Sequence, residues 1–92
     1  MKYNIIPTTK FKKDLKKASK RNLKIEKLEK VIDIIANGEM LSEKYCDHEL
    51  NGNYSGCREC HIEPDWLLIY EIHNDKLILI LTRTGTHSDL FE

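Results

Sequence analysis

The chain has 92 residues, of which 40% are hydrophobic and 33% charged, with 15 lysines and arginines set against 15 acids. This length suits a single domain, residues 1–92, able to bury roughly 60–65% of its unfolded surface without a disulfide or metal staple. The longest apolar runs, Trp66 to Tyr70 and Leu77 to Leu81, fall far short of the roughly 18 residues of a membrane helix, so no membrane partner is expected.

The start, Met1-Lys2-Tyr3-Asn4, leads into a strand-like stretch with no apolar signal region, and a cytoplasmic location is the expectation. Three cysteines, Cys46, Cys57 and Cys60, read as free thiols in a reducing compartment. The zero net charge conceals a segregation. The first 30 residues carry 11 basic against three acidic side chains, a net of +8, and the rest carry the opposite −8. Lys10, Lys12, Lys13, Lys16, Lys17 and Lys20 dominate the basic part, which suits a polyanion such as RNA and equally suits a plain solvated helix face.

Tyr3 to Pro7 reads as a strand, closed by the proline. Thr8 or Thr9 can cap a helix in which Phe11, Leu15 and Ala18 recur at helical spacing, with lysines on the other face. After a break at Arg21-Asn22, the residues Ile25, Leu28, Ile32 and Ile35 mark a second amphipathic helix, stopped at Asn37-Gly38. These two predict an antiparallel helical hairpin. Glu39 to Asn53 turns polar and reads as a long loop. Three antiparallel strands follow, Ser55 to Ile62, Trp66 to Ile72 and Leu77 to Thr84, and the tail reads as a loop or one helical turn. The order is β-α-α-β-β-β: an α+β domain with the hairpin packed on one face of a small, mostly antiparallel sheet.

Three features bear on chemistry. Cys57-Arg58-Glu59-Cys60-His61 matches the spacing of covalent haem attachment, but it lies in a strand pattern of a chain without an export signal, so haem is not expected. Zinc is the nearer competitor on ligand count. Cys57 and Cys60 face opposite sides of a strand, however, and a second cysteine pair is missing, so no metal and no cofactor are expected.

The second feature is a set of polar groups at strand ends and turns: His48, His61, Asp65, Arg83 and His87. His61 and Asp65 are expected to be neighbours across their turn. If Arg83 and His87 join them, the site holds imidazoles that exchange protons near neutral pH, a carboxylate, and a guanidinium for phosphate. Such a set fits RNA cleavage through the 2′-hydroxyl, which needs a base, an acid and a cation. The third feature is a pair of aromatics beside this set. Trp66 and Phe91 offer faces for unstacked bases, although a core position is an equally natural place for Trp66.

The segments Asp47-His48-x-Leu50-x-Gly52, Arg58-Glu59-Cys60-His61-Ile62-Glu63-Pro64-Asp65-Trp66-Leu67-Leu68-Ile69-Tyr70 and Arg83-Thr84-Gly85-Thr86-His87-Ser88-x-Leu90-Phe91 together resemble the YafQ-like branch of the RelE/ParE toxins. The resemblance implies a RelE-like fold and a type II toxin that cleaves mRNA on the ribosome and is neutralised by a cognate antitoxin. It also implies His48, His61, Asp65 and His87 as the acid–base set, with Arg83, Trp66 and Phe91 lining the site. On this reading the lysines of the first helix track ribosomal RNA phosphates. The alternative is a non-catalytic, ParE-like toxin that binds a protein target such as gyrase; such relatives lack the histidine set.

Overall fold

The computed structural model describes residues 1–91. In chain order its elements are β1 (Asn4–Pro7), α1 (Thr9–Lys20), α2 (Ile25–Ala36), β2 (His48–Glu49), β3 (Arg58–Glu63), β4 (Trp66–His73), β5 (Ile78–Gly85) and α3 (His87–Phe91). Single 3-10 turns occupy Glu43–Tyr45 and Gly52–Tyr54. The strands form one sheet in the order β1-β5-β4-β3-β2, in which only the β1–β5 pair is parallel. The α+β class and the expected elements are present.

Local chemistry explains the boundaries of the helices. Thr8 Oγ1 accepts from the Phe11 N–H at 3.0 Å and so satisfies one of the orphan donors at the start of α1. The same hydroxyl donates to the Thr82 carbonyl at 2.8 Å, which ties that cap to β5. At the end of α2, Gly38 adopts φ +79°, a left-handed conformation that stops the helix at little steric cost.

β4 is the centre of the molecule, and its alternation defines two cores. Trp66, Leu68 and Tyr70 face the helices, where Phe11 and Ala18 of α1 and Leu28, Val31 and Ile35 of α2 cover them. Leu67 and Ile69 point the other way, into a smaller cluster with Cys57 and Leu90, flanked by Leu50 and Tyr54. None of these five β4 residues is more than 2% exposed, as a strand apolar on both faces requires. The expectation of one packed face is therefore incomplete: the polar segment after α2 and the C-terminal α3 close the second.

Two further differences concern strand limits. The expected loop 39–53 contains β2, a two-residue edge strand paired with β3 through His48↔Glu59 and Glu49↔Arg58. The strand expected from Ser55 starts at Arg58, because Ser55 and Cys57 turn back to donate to Gly52 and Tyr54.

Beyond Pro7, β1 no longer covers the edge of β5, and α1 takes over. Asp14 accepts from the Thr84 N–H at 3.2 Å and holds Arg83 through Nε at 2.7 Å and Nη2 at 3.1 Å. A helical carboxylate thus completes the strand edge and pairs a half-buried guanidinium in the same contact.

Candidate active site

Strand order assembles the site. Leu67 of β4 lies opposite His61 on one side and Gly85 on the other, so the end of β3 and the end of β5 meet at the same rung of the sheet. His87, two residues past Gly85, comes to 5.8 Å from His61 between ring centroids, at an interplanar angle of 65°. The β2–β3 pair brings His48 to 6.4 Å from His61. Phe91, one turn after His87 on α3, lies 6.4 Å from it and packs edge-on against Tyr54 at 5.6 Å. The result is a row: His48, His61, His87, Phe91.

Two carboxylates organise this row. Asp65 Oδ1 accepts from both the backbone N–H of His87 at 3.0 Å and its ring Nδ1 at 2.6 Å. These bonds, the backbone one foremost, hold the Asp65 carboxyl below the usual carboxylate range. Asp65 therefore partners His87, while His61 turns to Glu59.

Glu59 is the functional candidate that the sequence reading passed over. It is 4% exposed, and its Oε1 lies 3.3 Å from His61 Nε2 and 3.6 Å from His48 Nε2. A buried carboxylate facing two imidazoles can balance the charge that they carry when protonated. The signal was available, since residues two apart on a strand share a face and so pair Glu59 with His61. His48 is fixed on its other side, where Nδ1 lies 2.7 Å from the Cys46 carbonyl.

The remaining candidates divide. Phe91 is half exposed beside His87 and offers a ring face, and Lys10 joins it with Asn53 and Tyr54 around a cavity of about 480 Å³. Trp66 has no such role, because it is 2% exposed, sits in the core against the helices, and donates its indole N–H to Thr84 at 3.0 Å. Arg83 has two of its donors committed to Asp14, so it stands in a structural ion pair. Lys12, Lys13, Lys16 and Lys20 are solvent-exposed on α1, whereas Lys17 reaches Asp89 at 3.2 Å.

That Asp89 contact locks α3 in place. Arg21 grips Asp89 with Nη1 at 2.7 Å and Nη2 at 3.2 Å, and Thr86 bonds the same residue twice. These partners, Arg21 foremost, hold the Asp89 carboxyl far below the ordinary range. Gly85 leaves room for it, since a Cβ there would meet Asp89 at 3.0 Å.

Cys57, in the turn before β3, and Cys60 are buried in opposite cores, and all three cysteines are free thiols. A metal-capable set exists elsewhere: one donor atom from each of Glu59, His61 and His87 falls within 4.8 Å of the others. Two imidazoles and a carboxylate suit a transition-metal ion.

Comparison with known proteins bears on this site. Residues 3–92 match the family model described as the bacterial toxin of type II toxin-antitoxin system, YafQ. The chain is 44% identical over 82 residues to the mRNA interferase toxin YafQ of Escherichia coli strain K12, covering 88% of this chain and 87% of that one. Its fold is similar to a chain in the crystal structure of the E. coli DinJ-YafQ toxin-antitoxin complex, with a TM-score of 0.89, 36% identity and 100% of both chains covered. It is equally similar to a metal-bound toxin from Helicobacter pylori, with a TM-score of 0.91 and 42% identity over 97% of this chain and 99% of that one.

Proposed function

Because the chain belongs to the YafQ family of bacterial type II toxins, we propose that it is an endoribonuclease that cleaves mRNA on the ribosome and is silenced by an antitoxin protein. The observation that carries this reading is the row of three imidazoles backed by Glu59 and Asp65. A ParE-like binding toxin has no use for such a set. The relatives support both halves: one is named an mRNA interferase, and another is crystallised with its antitoxin. Action on ribosomes places the protein in the cytoplasm.

In the proposed reaction the RNA 2′-oxygen attacks the adjacent phosphorus, loses its proton to the site, and the 5′-oxygen leaves with a proton from the site. The products carry a 2′,3′-cyclic phosphate and a 5′-hydroxyl. Asp65 engages Nδ1 of His87, which leaves Nε2 as the nitrogen that exchanges a proton with the substrate. His61, over the Glu59 carboxylate, supplies the second proton exchange, and His48, whose ring nitrogens face Glu59 and the Cys46 carbonyl, contributes positive charge for the phosphorane. Phe91 stacks a neighbouring base, and the exposed lysines of α1 hold RNA phosphates without sequence choice.

A metal ion would be held by Glu59, His61 and His87, where it would occupy the lone pairs that acid–base work needs. The test is cleavage of ribosome-programmed mRNA in the magnesium that ribosomes need, with transition metals removed by a zinc- and copper-selective chelator, and analysis of the product ends. Cleavage leaving a cyclic or 3′-phosphate is the expected result. No cleavage by the folded protein, or cleavage that depends on added zinc or copper, overturns the mechanism.

A further inference from the structure

A groove of about 550 Å³ opens beside the histidine row and shares His61 with it. Its other walls are Lys27 and Lys30 of α2, Lys44 and Tyr45 of the turn after α2, and the end of β3. Glu63 is the acid in this lining, and Lys27 matches it at 3.0 Å. Lys30 and Lys44 are exposed and make no ion pair among the described residues, and the Lys44 ammonium lies 5.1 Å from the centre of the half-buried Tyr45 ring.

We propose that this groove is a second RNA subsite, which takes the single-stranded segment next to the scissile phosphate. One base rests on Tyr45, and the adjoining phosphates meet Lys30 and Lys44. The inference rests on the ribonuclease reading above. Three observations favour RNA as the occupant. The groove is continuous with the site through His61, its charge in excess of the Lys27–Glu63 pair is positive on a chain of zero net charge, and its volume lies in the range of roughly 300–1,000 Å³ that suits a small polar ligand such as a nucleotide. It also repeats the composition of the other flank. At the His87 end, Phe91 and Tyr54 stand with Lys10; at the His61 end, Tyr45 stands with Lys44. An aromatic ring beside an ammonium is how single strands are held without reading their sequence.

The experiment compares wild type with the Lys30→Glu, Lys44→Glu double variant and, separately, with Tyr45→Ala. The probe is a short RNA made uncleavable by 2′-deoxy substitution, and binding is followed by fluorescence anisotropy between roughly 50 and 200 mM salt. Loss of two phosphate contacts should weaken binding about tenfold at the lower salt and make the plot of log K against log salt shallower by about 1.4. Tyr45→Ala should weaken binding with the salt slope unchanged, and both variants should still bind the antitoxin. Wild-type affinity and slope in the double variant, from a protein whose wild type cleaves RNA, would overturn the subsite alone. Loss of antitoxin binding with RNA binding intact would also overturn it, and would give the groove to the protein partner. A wild-type protein that binds no RNA overturns the subsite, and one that also fails to cleave ribosome-programmed mRNA overturns the ribonuclease reading with it.

Discussion

Asp65 meets His87 twice with one oxygen, taking the backbone N–H at 3.0 Å and the ring nitrogen at 2.6 Å, although the two residues lie in different turns of the chain. The double contact fixes where His87 starts its helix and, in the proposed reaction, which ring nitrogen exchanges a proton. Asp65→Asn presents an amide to Nδ1 and unsettles the tautomer, so cleavage should fall about 10²-fold or more. Both groups are well exposed, and the thermal midpoint should hardly move. The Asp65 carboxyl is held below its ordinary range, hence ionised from about pH 4 upward, and should add no inflection of its own to the pH–rate profile above that pH. A variant with wild-type rates removes Asp65 from the mechanism.

Glu59→Gln keeps the shape of a buried side chain and removes its charge. Single-turnover cleavage should drop about 10²-fold, as expected for loss of a preorganised charge partner, with the urea midpoint close to wild type. Zinc or copper added to wild type should inhibit, reversibly with EDTA, and the variant should need more metal for the same effect.

The two aromatics separate stability from binding. Trp66→Phe leaves Thr84 without its indole donor inside the core and should cost about 1–3 kcal/mol in denaturant unfolding, while the folded protein keeps its KM for RNA. Phe91→Ala should do the reverse, raising KM roughly tenfold for a lost stacking contact with little loss of stability. If Trp66→Phe instead raised KM at unchanged stability, the core assignment would be wrong.

Asp89 contributes to the pH dependence of stability. Its folded-state carboxyl is depressed, so its contribution is complete above the unfolded value near 3.9 and fades as pH falls below that. Asp89→Asn, which loses the Arg21 fork, should be about 1–2 kcal/mol less stable at pH 7 and should lose less further stability than wild type between about pH 4 and 2. Urea titrations at both ends of that window decide it.

What the sequence made readable follows from how local each signal is. Phe11, Leu15 and Ala18 repeat at helical spacing, and Leu67 to Ile69 run apolar on both faces, so the helices and central strands are written in short windows. β2 is not, because two exposed residues become a strand only through pairing with β3. Arg83 looked like a phosphate ligand, and its partner Asp14 lies 69 positions away, beyond any spacing argument. Glu59 shares a strand face with His61, which is readable, but its nearness to His48 depends on β2 pairing with β3. Asp65 stands four residues after His61, but its partner His87 lies 22 positions further on, beyond any local spacing.

The unequal size of the two cores has a consequence in time. The helix that carries His87 rests on a cluster of four buried residues, whereas 14 hold the opposite face. Backbone amides of α3 and the neighbouring turn should therefore exchange with deuterium through openings much smaller in free energy than global unfolding. Each such opening would carry His87 away from His61 while β4, α1 and α2 stay folded. On heating, activity should fade several degrees before the far-ultraviolet signal does.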